Sequence, residues 1–352
     1  MSTADAATPA ERRICVTGAS GYVGTHIVRE LLERGYLVRG TVRSLRDPAK
    51  TAHLRGLAAG LEASERLELV EAQLDNAASL EAAMQNCWGL CHVASAAQLK
   101  AKDPQREIVD VAVDGTRNAL EAASRAGVSR VVLTSSVAAV IDERKAIDHP
   151  HSESDWNEER DVQRTPYTVS KALAERAAWK LHAELPPERR FSLVAINPSV
   201  ILGPVYAEVH TRSTPAVLLD LLRGKMPGMP KLYFSVVDVR DVATAHVNAL
   251  EREALEGRFI LYNQGMWMRE MAELLRRRWP TRPIPKRGLP NWLVYASALV
   301  DPRINFAFLR RNLDVIRTLD NTRSRELLGI EYRPVAETIE DSATSFIELG
   351  LA

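Results

Sequence analysis

Four residues in this chain have the types and spacing to deliver a proton beside a carbonyl group. Tyr167 and Lys171 stand in Tyr-Thr-Val-Ser-Lys, and Ser135 and Ser136 close the run Val131-Val132-Leu133-Thr134. Residues four apart on a helix lie one above the other on one face. A phenol has a reference pKa near ~10 and is a poor acid or base at neutral pH. An ammonium one turn away favours the phenolate and brings that pKa toward the working range. Hydride addition to a carbonyl carbon leaves an alkoxide that needs a proton, and Tyr167 would supply it. A serine hydroxyl opposite would hold and polarise the carbonyl oxygen. Side chains alternate between the two faces of a strand, so one serine of the pair faces substrate. Ser136 is taken as that one, with Ser135 the alternative.

The elements that position these residues are legible from the N-terminus onward. Val16-Thr17-Gly18-Ala19-Ser20-Gly21-Tyr22-Val23-Gly24 follows the short apolar run Ile14-Cys15-Val16 and opens a segment with helical apolar spacing, Val23, Ile27, Val28, Leu31 and Leu32, closed by Gly35. Strand, glycine turn and helix together are the context of a dinucleotide-binding turn. Gly18 permits the turn, Gly21 lets backbone approach a pyrophosphate, and Gly24 allows close packing of helix on strand. The backbone of Ser20, Tyr22 and Val23 belongs to the helix start, where free N–H groups favour anions. The second strand, residues 36–43, ends at Arg43, with no carboxylate before Asp47. An acidic residue at this place accepts from the 2′-hydroxyl of NAD, whereas an arginine suits the 2′-phosphate of NADP. Arg43 therefore points to NADP(H), with Arg46 or Lys50 as second contacts, and Lys171 would also hold the nicotinamide ribose.

Strands and helices then alternate. Strand 67–70 is closed by Leu74-Asp75 where an adenine would lie, and a helix surrounds residues 80–85. Strand 90–94 ends in small residues, with Val93, Ala94, Ser95 and Ala96 near a cofactor, and one long helix covers 104–126. Strand 131–134 ends in Thr134. A polar, irregular stretch occupies 141–164. A helix follows from an N-cap at Thr165 with Pro166 first in the helix, and strand 191–196 leads to Asn197-Pro198-Ser199-Val200. Such alternation means an α/β fold, a Rossmann-type doubly wound parallel sheet with ligands at the strand C-termini. Residues 1–12 are expected to be a disordered tail and 13–204 the NADP-binding domain, with 232–265 partly returning to it. Residues 205–231 and 266–352 would form a smaller C-terminal substrate-binding cap.

Composition narrows the function classes. With 46% hydrophobic and 26% charged residues and a net charge of +1, the chain gives no reason to expect nucleic acid or a membrane as partner. The runs Arg276-Arg277-Arg278 and Arg310-Arg311 read as solvated helix faces. Three cysteines, Cys15, Cys87 and Cys91, argue against a disulfide framework and suit a reducing cytoplasm. No metal site is expected, because no Cys or His partners stand at ligand spacing.

The ordered motifs identify the chain as resembling the extended short-chain dehydrogenase/reductases, closest to the dihydroflavonol-4-reductase-like branch of aldehyde and ketone reductases. The matching pieces are the glycine turn, Val-Arg-Gly-Thr-Val-Arg-Ser (38–44), His-Val-Ala-Ser (92–95), Val-Leu-Thr-Ser-Ser (132–136), Tyr-Thr-Val-Ser-Lys (167–171), Asn-Pro-Ser-Val-Ile-Leu-Gly-Pro (197–204) and Val-Asp-Val-Arg-Asp-Val-Ala-Thr-Ala-His (237–246). The resemblance implies an NADPH-dependent carbonyl reductase with Ser136, Tyr167 and Lys171 as its catalytic set. It implies Arg43 and Lys50 at the 2′-phosphate, and Asn197, Pro198, Ser199 and Val200 beside the nicotinamide. His246 and Asp241 lie on a family motif and read as ties between the two parts of the fold. Gln73 stands where many members place an acidic residue beside the adenine. Ala112 stands where nucleotide-sugar members carry an asparagine, which favours a reductase over an epimerase. The substrate would be a small carbonyl or alcohol compound, lined by Ala96, Val137, Tyr206 and Tyr233 in a largely apolar pocket. The alternatives are a hydroxysteroid dehydrogenase or nucleotide-sugar epimerase/dehydratase, and a non-catalytic NADP-binding regulator. A monomer or homodimer is expected.

Overall fold

The computed structural model describes residues 8–95, 101–145, 149–300 and 306–352. The N-terminal part alternates as the sequence predicts: β1 (Arg13–Thr17), α1 (Tyr22–Glu33), β2 (Leu37–Val42), α2 (Pro48–Gly60), β3 (Leu67–Glu71), α3 (Ala77–Met84) and β4 (Gly89–His92). Next come α4 (Val111–Arg125), β5 (Arg130–Thr134), α5 (Pro166–Glu184), β6 (Ser192–Pro198) and β7 (Val200–Leu202). The chain continues through α6 (Ala216–Leu222), β8 (Tyr233–Asp238), α7 (Val239–Glu251), β9 (Gly257–Leu261) and β10 (Gln264–Trp267). Five helices close it: α8 (Met268–Arg278), α9 (Asn291–Val300), α10 (Phe306–Asn312), α11 (Thr322–Glu326) and α12 (Val335–Glu348).

Seven strands form one sheet in the order β3-β2-β1-β4-β5-β6-β9, and every pairing in it is parallel. The order reverses between β1 and β4, which is where a doubly wound sheet opens its ligand crevice. The period-two pleat divides the strand residues between two cores. Ile14, Val16, Cys91, Val132, Val194 and Ile196 pack on the side of α1, α2 and α7. Cys15, Leu90, Val131, Leu133 and Leu193 pack on the side of α3, α4 and α5. All three thiols are buried and unpaired.

A second, three-stranded sheet in the order β10-β8-β7 carries a third core, where Leu218 and Leu222 of α6, Met271 and Leu275 of α8 and Phe346 of α12 meet. It is mixed, with β7 parallel and β10 antiparallel to β8.

Three local expectations are corrected. The helix expected over 104–126 is not uniform: Gln105–Asp110 is a π-helix, and α4 starts after it. The wider turn buries both Ile108 and Val109, and the Gln105 amide donates across it to Asp110 Oδ1 at 2.7 Å. Helix α2 was not anticipated, because Thr51, Leu54 and Ala58 are its only buried residues. Thr165 does precede α5, but its hydroxyl donates backwards to the Asp161 carbonyl at 3.0 Å and makes no side-chain cap.

Candidate functional site

Strand β5 settles which way its terminal residues face. Val131 and Leu133 pack toward α5, and Ser135 continues that set: its hydroxyl donates to Glu175 Oε2 of α5 at 2.5 Å. Thr134 faces the other side and bonds His246 Nε2 of α7 at 2.8 Å. The Val242 carbonyl, 2.7 Å from His246 Nδ1, can only accept. Nδ1 therefore carries the ring proton of the neutral imidazole, and Thr134 donates to Nε2. Burial holds His246 neutral by pushing its pKa down to about 4. Ser136 starts a new turn, its oxygen accepting from Ala138 N at 3.1 Å, which leaves the hydroxyl proton free to be donated elsewhere.

Tyr167 and Lys171 lie on the first turns of α5, with Lys171 Nζ 6.0 Å from the centre of the Tyr167 ring. Helix α5 is tied to the end of β5 by Glu175, one turn beyond Lys171. Besides Ser135, this wholly buried carboxylate accepts from Asn197 Nδ2 at 2.7 Å, Arg258 Nε at 2.6 Å and Trp179 Nε1 at 3.3 Å. Asn197 Nδ2 also donates to the Ser136 carbonyl at 3.1 Å. Arg258 reaches on to the carbonyls of Glu153 and Asp155 at 2.8 and 2.6 Å and stacks on Trp156, its Cζ 3.8 Å from the ring centre. One buried ion pair thus fixes helix α5, the Ser135-Ser136 corner and the loop that leads into α5. Sequence reasoning missed Glu175 and Arg258. The signal was available, since Glu175 repeats the four-residue spacing of Tyr167 and Lys171.

Lys171 opens onto a cleft shared with Leu74, His92, Ala94, Ser95, Thr134 and Ser135, together with Ala112 and Thr116 of α4. His92, which opens the His-Val-Ala-Ser motif (92–95), was given no role from the sequence. The Thr17 hydroxyl accepts from Val93 N at 3.1 Å and Ala94 N at 3.2 Å. With both lone pairs used, it donates to His92 Nδ1 at 2.8 Å. The proton of neutral His92 is therefore on Nε2. Burial, and then the nearby Lys171 charge, push its pKa down to about 4.

The glycine turn has the shape of a dinucleotide cradle. Gly18 has φ +66°, and a Cβ there would stand 2.9 Å from Ala94 Cα; a Cβ on Gly24 would overlap the Gly18 carbonyl oxygen. Gly21 is the exposed residue before α1, and the N–H groups that follow it have no acceptor within the helix. Tyr22 contributes only backbone here, because its phenol turns inward to donate to Gly203 O at 2.9 Å. Arg43 directly follows β2 and is exposed, its side chain with no hydrogen bond or ion pair among the described residues. Asp47, the nearest carboxylate in sequence, is occupied as the α2 cap, accepting from Ala49 N at 3.0 Å. Lys50 lies on the first turn of that helix. Asn197 Oδ1 and Ser199 Oγ are buried without a hydrogen-bond partner, and such groups in a strand-end crevice are open to a ligand's polar atoms. The residues present fit a dinucleotide.

The remaining expected residues divide. Leu74 packs beside Gly115, and its carbonyl accepts from Asn118 Nδ2 at 2.8 Å; Asp75 is exposed. Val93, Pro198 and Val200 lie at strand ends, and Val137 follows Ser136 into a short turn. Tyr206 is drawn to α1, where its ring lies 4.8 Å from His26 and its hydroxyl accepts from Arg29 Nη1 at 2.5 Å. Tyr233 belongs to the second sheet and meets Trp267 edge-on at 5.2 Å. Ala96 lies outside the described residues. Asp241 is paired with Arg333, and His246 bonds Thr134, so both tie elements together. Among the described residues no three His, Cys, Asp or Glu side chains are grouped to hold a metal ion. No helix among them is long and apolar enough to cross a membrane.

Comparison with known proteins places the chain among reductases. The NAD dependent epimerase/dehydratase family profile matches residues 14–265. A cinnamoyl-CoA reductase, CAD2, of Medicago truncatula is 38% identical over 96% of this chain and 97% of its own. Tetraketide alpha-pyrone reductase 1 of Arabidopsis thaliana is 33% identical over 97% of each. Among solved structures, yeast methylglyoxal/isovaleraldehyde reductase Gre2 complexed with NADPH superposes with a TM-score of 0.79 at 27% identity, covering 97% of this chain and all of that one.

Proposed function

The chain belongs to the NAD dependent epimerase/dehydratase family, as an extended short-chain dehydrogenase/reductase of the cinnamoyl-CoA and dihydroflavonol reductase-like branch, and from this we propose that it is an NADPH-dependent reductase of aldehydes or ketones, able to run in reverse as an alcohol dehydrogenase. The observation that carries the reading is the tether of the Tyr167–Lys171 helix to the Ser135-Ser136 corner through buried Glu175.

Gly18, Ser20, Gly21, Gly24 and the first N–H groups of α1 would hold the pyrophosphate. Arg43 and Lys50 would take the 2′-phosphate, a dianion to which a guanidinium fork is matched. The dinucleotide, when bound, supplies the hydride. Ser136 donates to the substrate oxygen and holds the carbonyl in place. Tyr167 delivers a proton to that oxygen as charge develops on it, and the Lys171 ammonium stabilises the phenolate left behind. Ser135 cannot share Ser136's role while Glu175 holds its proton. Burial keeps His92 neutral and Thr17 fixes its tautomer, with Nε2–H as a donor in the cleft that Lys171 lines. Buried, unpaired cysteines suit a cytoplasmic setting.

The test is NADPH oxidation over a panel of aldehydes and ketones, repeated with NADH. The reading expects carbonyl-dependent oxidation with NADPH preferred. Tight cofactor retention with turnover of nucleotide sugars instead would move the chain to the epimerases of the same family.

A further inference from the structure

Beyond the dinucleotide cradle the molecule carries a second concave feature, a groove of about 990 Å³ beside the N-terminal end of α5. Arg144, Lys145, Arg164, Arg310, Arg311 and Arg317 all line it, against a single lining carboxylate among the described residues, Glu143. Arg310 and Arg311 were expected to form a solvated helix face; Arg310 is exposed, whereas Arg311 turns inward to pair with Glu159. Four of the cations are balanced from the flanks. Arg144 pairs with Asp142 at 2.6 Å, Lys145 with Glu158 at 2.7 Å, Arg311 with Glu159 at 2.8 Å and Arg164 with Asp161 at 3.5 Å.

Two are not. Arg310 is exposed, with no ion pair among the described residues. Arg317 is half-buried, and the partners recorded for its guanidinium are neutral oxygens, Asn312 Oδ1 at 3.0 Å and the Arg311 carbonyl at 2.7 Å. Burial lowers its pKa, the charge of Glu143 across the groove opposes this, and the Arg311 charge lowers it again by less. A partly desolvated cation beside another cation, without a carboxylate in contact, is a place where an anion is worth most.

The rest of the groove describes the body of that anion. Phe306, Val315 and Ile316 give it an apolar wall, and its volume is in the range of pockets that bind small organic molecules, far larger than a simple ion needs. Its position relates it to the reaction. Arg164 stands three residues before Tyr167, a span of at most about 11 Å of chain. The opposite wall begins at Glu143, seven residues after Ser136.

Resting on the reductase reading, we propose that this groove binds the distal end of the substrate, and that the preferred substrates are oxo acids: an apolar body whose carbonyl reaches Tyr167 and whose carboxylate is clamped by Arg310 and Arg317. The expectation of a largely apolar pocket is thereby narrowed to its wall. Planar guanidinium groups bind carboxylates through paired hydrogen bonds.

The test compares 4-formylbenzoate with its methyl ester, which share the aldehyde and differ in charge. Wild-type protein at saturating NADPH should have the higher kcat/KM for the acid, and added salt should erode the difference. In Arg310→Gln/Arg317→Gln the acid-to-ester ratio should fall about tenfold to a hundredfold, and Arg317→Lys should retain part of it. Because both substrates are read on one preparation, a folding defect cancels in the ratio. Equal or better use of the ester by wild type, or an unchanged ratio in the double variant, overturns the proposal. If neither aldehyde is reduced, calorimetric titration with 4-formylbenzoate separates the two readings. Binding that the double variant loses upholds the groove and removes the reductase, whereas no binding removes both.

Discussion

Glu175→Gln exchanges one oxygen for an amide group in the buried tether behind Lys171. The wild-type carboxylate accepts four hydrogen bonds, Ser135 and Asn197 on Oε2, and Arg258 and Trp179 on Oε1. Glutamine has two acceptor sites on one oxygen and two donors on nitrogen. With the nitrogen toward Arg258, donors oppose donors around a guanidinium that has lost its counter-charge. With the nitrogen toward Ser135, the hydroxyl can rotate to accept, but Asn197 must flip to present Oδ1. That flip withdraws the bond to the Ser136 carbonyl. Either orientation breaks a buried ion pair by removing one partner, which costs about 3–5 kcal/mol. Against a domain stability of about 5–15 kcal/mol, this is a large fraction. Urea unfolding should show it as a lower midpoint at unchanged slope. The companion Glu175→Leu/Arg258→Met should recover much of that stability, since apolar replacement of a buried pair is often neutral, yet leave Ser136 unheld. Its kcat should then fall about a hundredfold, the effect of a misplacement near 1 Å, with KM changing less. An unfolding midpoint for Glu175→Gln within about 0.5 kcal/mol of wild type would refute the reasoning. So would full kcat in the double variant.

Two further predictions concern the cofactor and pH. Arg43→Gln should lower the preference for NADPH over NADH by about tenfold or more, the worth of a charge-assisted bond; an unchanged preference would place the 2′-phosphate elsewhere. Four of the buried histidines make the fold sensitive to acid. Desolvation is the leading cause in each, taking His26, His92 and His246 down to about 4 and His210 to about 3. Their folded values lie below the unfolded 6.5, so their contribution is complete above pH 6.5 and is lost as pH falls toward 4. At pH 5 each costs about 2 kcal/mol. Asp241, raised to about 6 chiefly by burial, acts in the opposite direction over a narrower window and is outnumbered. The urea midpoint should fall clearly between pH 7 and pH 5, and a midpoint that stays level would contradict the burial of these rings.

The parallel sheet was readable because each strand carries its own signal. Val131-Val132-Leu133 and Leu90-Cys91 are apolar on both faces, as strands covered on two sides must be. The Tyr167–Lys171 pair was readable because helical spacing is local. What stayed hidden depends on contacts distant in sequence. Arg258 is 83 residues from Glu175, and nothing near Arg258 marks it as a partner. Tyr206 stood among aromatic residues that suggested a pocket, yet His26 and Arg29 on α1 create a seat for it that only the folded chain presents. Helix α2 offers three buried residues to the core, too few for its period to stand out between two strands. The choice between Ser135 and Ser136 needed only the phase of β5, which the sequence contains, plus the knowledge that α5 covers the face of Val131 and Leu133.

The central claim is that Tyr167 delivers the proton when a carbonyl is reduced. Single-turnover reduction of an aldehyde by NADPH-loaded Tyr167→Phe tests it most directly, with NADPH affinity measured on the same preparation. The account predicts a rate lower by about 10²–10⁴-fold with NADPH still bound, because the ring and its packing remain while the proton is gone. Reduction at the wild-type rate would contradict it.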